Sequence, residues 1–183
     1  GKGIYLFTNK GEKYIDLAAG IAVNLLGHSN KDLINALNVQ SRKLWHVSNL
    51  YEIEEQVTLA NKLTSCSFAH KVFFCNSGSE ANDTMIKMLW MLNIKKGHPK
   101  KRKIISRING YHGVTIGASS MTAKPYNKEF GLPLKEFIHT DCPHFWKFGL
   151  ENESEEEFSK RMATNLEKLI LKEGHETISC FVD

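Results

Sequence analysis

Hydrophobic positions along the chain follow two patterns. Short apolar runs, typical of strands, alternate with longer segments in which an apolar residue recurs every third or fourth position, as in amphipathic helices. The runs that predict strands are residues 14–17, 72–75, 103–106, 137–139 and 178–182. The segments that predict helices are residues 31–44, 53–63, 79–92 and 154–170, the last opened by a Ser-Glu capping box and stopped by Gly174.

Strands that alternate with helices predict an α/β fold with a mostly parallel sheet covered by helices. A parallel strand is normally followed by a crossover to the next strand. The run at 178–182 would be such a strand, and the chain stops at Asp183 without a crossover. We therefore expect an N-terminal fragment of a larger subunit. The opening Gly1-Lys2-Gly3 is likewise expected to lie inside a longer protein, whose targeting segment is not visible.

Composition and charge narrow the classes of function only slightly. The 183 residues are 42% hydrophobic and 24% charged, which is typical of one globular domain or part of a larger one. A formal net charge of +4 is too small to predict a nucleic-acid partner. No run of about 18 apolar residues occurs, so no membrane span is expected.

The four cysteines predict free thiols. They are Cys66, Cys75, Cys142 and Cys180, and none forms a C-x-x-C pair. Cys75 and Cys180 lie in apolar runs, where a thiol packs as a small hydrophobic side chain. We expect buried free thiols and a protein of a reducing compartment.

The first candidate for chemistry is FFCNSGSEANDT, at residues 73–84. Four small polar residues separate an apolar run from a helical segment, and the first amides of a helix bind anions. Gly78 lets a ligand approach the backbone, and Ser77 and Ser79 offer hydroxyl groups. The alternative is a plain helix start, in which Ser77 and Glu80 form a capping box without any ligand. Neither a P-loop nor a dinucleotide-binding glycine pattern is present.

The second candidate is Asn109-Gly110-Tyr111-His112-Gly113, which follows the next predicted strand. It is expected at the same carboxyl edge of the sheet as Gly78, where open α/β sheets bind ligands. An aromatic residue between two glycines can stack on a planar ring, and the alternative is a surface turn with a packed tyrosine. Together the two candidates predict a site for a phosphorylated ring.

Three other patterns are less specific. The basic run at 95–103 could bind nucleic acid, but it lacks interleaved aromatic residues and is better explained as a solvated loop. The segment HTDCPH at 139–144 fits no standard zinc pattern, so no metal site is expected. The G-x-S-x-G pattern of serine hydrolases is absent.

FFCNSGSEANDT followed by NGYHG resembles the class III, pyridoxal-phosphate-dependent aminotransferases of fold type I. GEKYIDLAAGIAVNLLGH and LWHVSNLY are similar to acetylornithine and ornithine-type members. HTDCPHFWKFGLENESEEEF and NLEKLILKEGHETIS are similar to plant-type, pyruvate-using 4-aminobutyrate transaminases of the omega-amino-acid branch. The resemblance implies that residues 1–50 belong partly to the small domain. It also implies that residues 51–183 form the first part of the large, cofactor-binding domain.

The resemblance also assigns site residues. Gly78 and Ser79 match the pair that binds the phosphate, with Ser77 beside them. Tyr111 matches the aromatic residue that stacks on the pyridine ring and borders the substrate, and His112 its neighbour near the ring face. Residues 49–51 match a loop that can approach the other subunit's site. The Schiff-base lysine and the aspartate that pairs with the ring nitrogen are expected beyond Asp183, so no catalytic residue is expected in this chain, which alone would be inactive.

The implied activity moves an amino group from an omega-amino acid, such as 4-aminobutyrate, to a 2-oxo acid, such as pyruvate, through pyridoxal phosphate. A homodimer in the mitochondrial matrix or the cytoplasm is implied, without a nucleic-acid or membrane partner. Two alternatives stay open. One is an acetylornithine or ornithine-type aminotransferase. The other is a truncated, non-catalytic chain that binds a partner through an exposed edge strand.

Overall fold

A computed structural model describes all residues from 1 to 183, and the chain divides into two compact units, Gly1–Val72 and Phe73–Asp183. The assignment of residues 1–50 and 51–183 to a small and a large domain concerns the whole subunit. It stays a prediction.

The first unit opens with an antiparallel pair, β1 (Tyr5–Phe7) and β2 (Lys13–Ile15), in which Tyr5 lies opposite Ile15. The pattern predicted β2 slightly late and missed β1, because three residues are too few to show alternation. A short turn, α1 (Ala19–Ala22), follows with positive φ throughout.

Two regular helices complete the first unit. Helix α2 (Lys31–Ser41) begins at Asn30, whose side chain accepts hydrogen bonds from Asp32 N and Leu33 N, and helix α3 is Glu54–Ser65. Both predicted helices are thus confirmed with ends shifted by a few residues. No residue of this unit is buried, and its exposed apolar side chains include Leu17, Ile21, Leu50 and Phe68. Residues 1–72 therefore contain no hydrophobic core of their own.

The second unit is built on a parallel sheet, which confirms the predicted α/β class. Its strands are β3 (Lys103–Arg107), β4 (Phe137–Thr140) and β5 (Ile178–Phe181), in the order β4-β3-β5 with both pairings parallel. Its helices are α4 (Gly78–Lys95), α5 (Ile116–Met121), α6 (Phe145–Phe148) and α7 (Glu155–Glu173). Two 3₁₀ segments, Pro125–Phe130 and His175–Thr177, connect them.

The core of the second unit lies between the sheet and its helices. Ile104 of β3 is fully buried and clusters with Ile86 of α4, Met121 of α5 and Phe137 of β4. This core fixes the start of α4 and the turn after β3 relative to each other. None of the helices is long and apolar enough to cross a lipid bilayer.

The strand predicted at 72–75 is wrong. These residues have no regular secondary structure, and Phe73 is 64% exposed. A strand needs a neighbour to accept its hydrogen bonds, and this run pairs with neither edge strand of the sheet, β4 or β5. An apolar run alone does not carry that information.

The prediction of buried thiols fails with it. All four cysteines are free, Cys66 and Cys75 are exposed, and Cys142 and Cys180 are half-buried. Burial raises the pKa of the Cys180 thiol above its usual value. Only Cys180 approaches the packed, protonated thiol that the apolar runs predicted.

Candidate functional site

The candidate site is built around the N-terminus of α4. Ser77 is the N-cap, with extended backbone, and its Oγ accepts a hydrogen bond of 3.2 Å from Glu80 N. The Glu80 carboxylate reaches back past Ser77 and accepts from Asn76 N at 2.7 Å. The expected capping box is therefore formed in one direction only, and the return contact goes to the preceding residue.

The amides of Gly78 and Ser79 precede the first backbone bond of the helix, which Ala81 N donates to Ser77 O. They are the free N–H groups that give a helix N-terminus its affinity for anions. A Cβ built on Gly78 would meet no heavy atom within 4 Å. Neither packing nor backbone conformation requires glycine here, and its lack of a side chain leaves the space beside these amides open.

The turn after β3 lies directly against this helix start. Ser79 Oγ accepts a hydrogen bond of 3.0 Å from Val114 N. Gly113 has a φ of +126°, and a Cβ on it would overlap Ser79 Oγ and lie 3.0 Å from Ala118 Cβ. The two segments singled out by the sequence thus touch, and they do so through a glycine that cannot be replaced without displacing one of them.

Asn82 adds a contact that the sequence analysis missed. Its Nδ2 donates a hydrogen bond of 2.6 Å to His112 O. Asn82 lies three residues after Ser79, so both side chains project from the same face of α4. That spacing is the only signal in the sequence that could have pointed to it.

Tyr111 is the solvent-exposed aromatic residue of the turn. It is 66% exposed, and its neighbour Val114 is 74% exposed. A tyrosine packed against a surface turn, the alternative considered from the sequence, would be largely covered. The exposed ring is instead available to a planar partner.

His112 is half-buried, and Gly113 is the buried residue of the turn. The His112 ring lies over Gly110, where a Cβ would come within 3.0 Å of His112 Nε2. That nitrogen is buried and has no hydrogen-bond partner within the chain. Burial lowers the pKa of His112, the carboxylate of Asp183 opposes this in part, and His139 lowers the pKa further. The ring is therefore neutral at neutral pH.

Arg107 and Asp183 form an ion pair beside the turn, at the carboxyl ends of β3 and β5. Arg107 Nε lies 2.5 Å from Asp183 Oδ1, at an angle outside the range of a hydrogen bond. The guanidinium also lies 5.2 Å from the centre of the Phe181 ring. An ion pair without net charge therefore lies near His112 at this edge of the sheet.

The other candidate motifs engage separate structural partners. In the segment 139–144, His139 Nε2 donates to Ser120 O at 3.1 Å, and Asp141 accepts from Asn165 at 2.7 Å. In the basic run, the Arg102 guanidinium stacks on Trp90 at 3.9 Å. These side chains hold loops to helices and do not converge on a common site.

The arrangement fits pyridoxal phosphate on two counts. Accessible amides at a helix N-terminus suit the phosphate, and an exposed tyrosine on the adjoining turn suits the flat ring. The residues expected from the sequence, Ser77, Gly78, Ser79, Tyr111 and His112, are all found in these two adjoining segments.

Comparison with known proteins points the same way. The sequence profile of the family described as aminotransferase class-III matches residues 1–182. The probable gamma-aminobutyrate transaminase 2, mitochondrial, of Oryza sativa subsp. indica is 43% identical over 187 residues, which are 99% of this chain and 38% of that protein. Vanillin aminotransferase of Capsicum chinense is also 43% identical, over 99% of this chain and 41% of its own length.

Among solved structures, a pyridoxal-phosphate-bound aminotransferase mutant from Vibrio fluvialis superposes with a TM-score of 0.92 at 44% identity. The match covers 99% of this chain and 41% of that one. The chain thus has the fold of part of a pyridoxal-phosphate-dependent aminotransferase, as the sequence predicted, and it spans about two fifths of the length of the relatives it matches.

Proposed function

The chain belongs to the class-III aminotransferase family, and we propose that the whole protein transfers an amino group from an omega-amino acid to a 2-oxo acid with the help of pyridoxal phosphate. The observation that carries this proposal is the hydrogen bond between Ser79 Oγ and Val114 N. It joins the anion-binding helix start to the turn that presents Tyr111. A phosphate and an aromatic ring attached to one another would match these two neighbouring features.

Each residue has a defined part in binding the cofactor. Gly78 and Ser79 would bind the phosphate through their amides and the Ser79 hydroxyl, which accepts from Val114 and still has its own proton to donate. Ser77 would support them by capping the helix. Tyr111 would stack on the pyridine ring and border the substrate, and His112 would lie neutral near the ring face.

When bound, pyridoxal phosphate supplies an electron sink for the carbon that carries the amine. What this chain contributes is orientation. A phosphate held at one end and a ring held by Tyr111 leave the cofactor little freedom to tilt, and such positioning lowers the entropic part of the barrier. We propose that the lysine that binds the cofactor covalently lies outside residues 1–183.

The proposed substrates come from the names of the relatives. The rice relative is named for gamma-aminobutyrate, so 4-aminobutyrate is the proposed donor, and pyruvate is the proposed acceptor. The comparisons favour the omega-amino-acid branch over the acetylornithine and ornithine alternative. The pepper relative, equally similar, is named for vanillin, which makes an aromatic amine the donor to test beside 4-aminobutyrate.

The test is a matrix of donors and acceptors on the purified whole protein. The donors are 4-aminobutyrate, vanillylamine and N-acetylornithine, and the acceptors are pyruvate and 2-oxoglutarate. We expect the highest kcat/KM for 4-aminobutyrate with pyruvate. Preference for N-acetylornithine with 2-oxoglutarate would contradict the proposed branch, and no amino transfer with any pair would contradict the enzyme itself.

For assembly and location we propose a homodimer in the mitochondrial matrix or the cytoplasm, without a nucleic-acid or membrane partner. The apolar side chains left exposed in residues 1–72 need a covering surface, which the rest of the subunit or a second subunit would supply. The word mitochondrial in the rice relative's name supports the first location. Light scattering of the whole protein and fractionation of cells test the two proposals, and a monomer or a nuclear protein would contradict them.

A further inference from the structure

Thr122 lies behind the aromatic turn, immediately after α5, and is only 2% exposed. Its Oγ1 accepts a hydrogen bond of 2.8 Å from His112 N. The same oxygen lies 3.0 Å from Ala118 O and 3.3 Å from Gly113 O. A hydroxyl has one proton, so it donates to one of these carbonyls and accepts from His112 at the same time.

The backbone of His112 is thereby held on both sides. Thr122 accepts from its N–H, which belongs to the Tyr111–His112 peptide, and Asn82 of α4 donates at 2.6 Å to its C=O, which belongs to the His112–Gly113 peptide. Both partners are anchored in helices that pack on the core through Ile86 and Met121. The backbone at His112 is therefore fixed to the same rigid frame as the start of α4.

Tyr111 directly precedes His112, and its carbonyl group belongs to the Tyr111–His112 peptide that Thr122 binds. With 66% of the residue exposed, its ring has little packing of its own to set its direction. The backbone next to it then sets the direction of the Cα–Cβ bond from which the ring extends. A small rotation of the Tyr111–His112 peptide would displace the ring by more than it displaces the backbone, because the ring lies farther from the axis of rotation.

We propose that Thr122 is a positioning residue for the cofactor ring: its buried hydroxyl fixes the Tyr111–His112 peptide and so the direction in which the Tyr111 side chain leaves the backbone. The inference rests on the proposed function and extends it to a residue outside both segments that form the site. Thr122 itself is placed behind the turn, where it would not touch the cofactor.

Three variants of the whole protein test this. Thr122→Val replaces the hydroxyl with a methyl group of similar size, and Thr122→Ser keeps the hydroxyl. Ser120→Ala is the matched control, because Ser120 is also fully buried and lies two residues before Thr122, at the end of α5. Its hydroxyl bonds Ile116 O at 2.7 Å and Leu134 N at 3.2 Å and makes no contact with the turn.

The first measurement is hydrogen exchange resolved to single amides. In Thr122→Val we expect the His112 amide to exchange about 3- to 10-fold faster, as befits the loss of one hydrogen bond. Thr122→Ser should restore the slow exchange, and Ser120→Ala should leave it unchanged. Equal exchange in Thr122→Val and the wild type, or equally fast exchange in Ser120→Ala, would overturn the proposal.

If Thr122→Val fails to fold, hydrogen exchange of the wild type alone tests the proposal. The His112 amide, bonded to a buried hydroxyl, is expected to exchange more slowly than the amide of Tyr111, which makes no such bond in the turn. Exchange of both amides at the same rate would overturn the proposal without any variant.

The second measurement is the Kd for pyridoxal phosphate and for pyridoxal, which lacks the phosphate. Thr122→Val should weaken both by the same factor, about 3- to 10-fold, because only the ring contact is disturbed. A loss confined to pyridoxal phosphate would overturn the ring-positioning role. If the wild type bound neither compound, the proposed function itself would fail, whereas the exchange rates would still report whether Thr122 holds the turn.

Discussion

Gly113 approaches Ser79 so closely that no side chain fits between them. A Cβ at position 113 would overlap the hydroxyl oxygen of Ser79, and the backbone of Gly113 has a φ of +126° that other residues rarely adopt. The helix start that would bind the phosphate and the turn that would hold the ring are therefore assembled at one point.

Gly113→Ala should separate these two segments. We expect a cost of about 1–3 kcal/mol from the backbone conformation alone, and a further loss from the overlap with Ser79. Both the free energy of unfolding and the affinity for pyridoxal phosphate should fall. Gly97→Ala is the control, because Gly97 also has a positive φ of +78° but open space around it. An equal loss of cofactor affinity in both variants, measured by titration, would contradict a specific role for Gly113.

Unlike Gly113→Ala, Gly78→Ala should lower the affinity for the cofactor without lowering the stability. A Cβ at this position meets no atom of the chain, so the thermal stability should be unchanged or slightly higher, since alanine favours a helix more than glycine does. The affinity for pyridoxal phosphate should fall about tenfold or more, the loss of one hydrogen bond to a charged group. Binding of pyridoxal, which has no phosphate, is the comparison, and an equal loss for both compounds would exclude Gly78 from the phosphate contact.

Tyr111→Ala should weaken cofactor retention in the whole protein and slow its turnover. The residue is 66% exposed, so its removal should disturb little packing and the Tm should stay close to that of the wild type. Tyr111→Phe keeps the ring and should retain most of the cofactor. Absorbance of the bound cofactor after dialysis measures the effect, and unchanged content in Tyr111→Ala would rule out stacking.

Acid should destabilise the second unit before its carboxylates are protonated. Burial lowers the pKa of both His112 and His139 in the folded protein. A histidine with a lowered folded pKa takes up a proton more readily when unfolded, so the free energy of unfolding falls as the pH drops below about 6.5. Urea unfolding between about pH 5 and pH 7.5 measures this slope. His112→Gln and His139→Gln should each flatten it, and an unchanged slope in both would refute the assignment.

Glu153 should stabilise the protein far into the acid range. The Arg161 guanidinium holds both of its oxygens at 2.7 Å and lowers the pKa of Glu153 to about 2. This stabilisation is complete above the unfolded pKa of about 4.5 and is lost as the pH falls towards 2. Glu153→Gln should therefore lower the Tm at pH 7 by a few degrees.

Glu156→Gln is the control for Glu153, because it breaks an ion pair with Lys160 in which both side chains are more than 70% exposed. Exposed pairs of this kind contribute little to stability. A Tm change in the control as large as that of Glu153→Gln would show that the Arg161 contact contributes no more to stability than an exposed ion pair.

Local signals predicted most of the secondary structure in the second unit. The capping box at the start of α7 is present as expected, with Ser154 Oγ accepting from Glu157 N and the Glu157 carboxylate from Ser154 N. Such a box is specified by residues three apart and needs no tertiary partner. The runs that became β3, β4 and β5 were recognised by their short apolar stretches, although only β3 is buried along its centre and no residue of β5 is buried.

Features that depend on distant partners could not be read from the sequence. The run at 72–75 has the composition of a strand but no neighbouring strand, and nothing within the run records this. Asn82 and Thr122 act on His112 from 30 and 10 residues away, and each is an ordinary polar residue at the end of a helix or on its face. Their importance arises from which backbone group they meet, and that is a property of the folded chain.

The close contact between Gly113 and Ser79 also limits which residues of the turn can be changed in protein redesign. Residue 111 is the position of the turn at which a change would disturb the fold least, because its side chain is 66% exposed, although the proposed contact with the ring would change with it. Residues 112 and 113 are poor targets, because their backbone is clamped to α4 and α5 and any shift there would be passed on to the phosphate end. Grafting the aromatic turn onto another scaffold would likewise require Ser79, Asn82, Gly113 and Thr122 to be transferred as one unit.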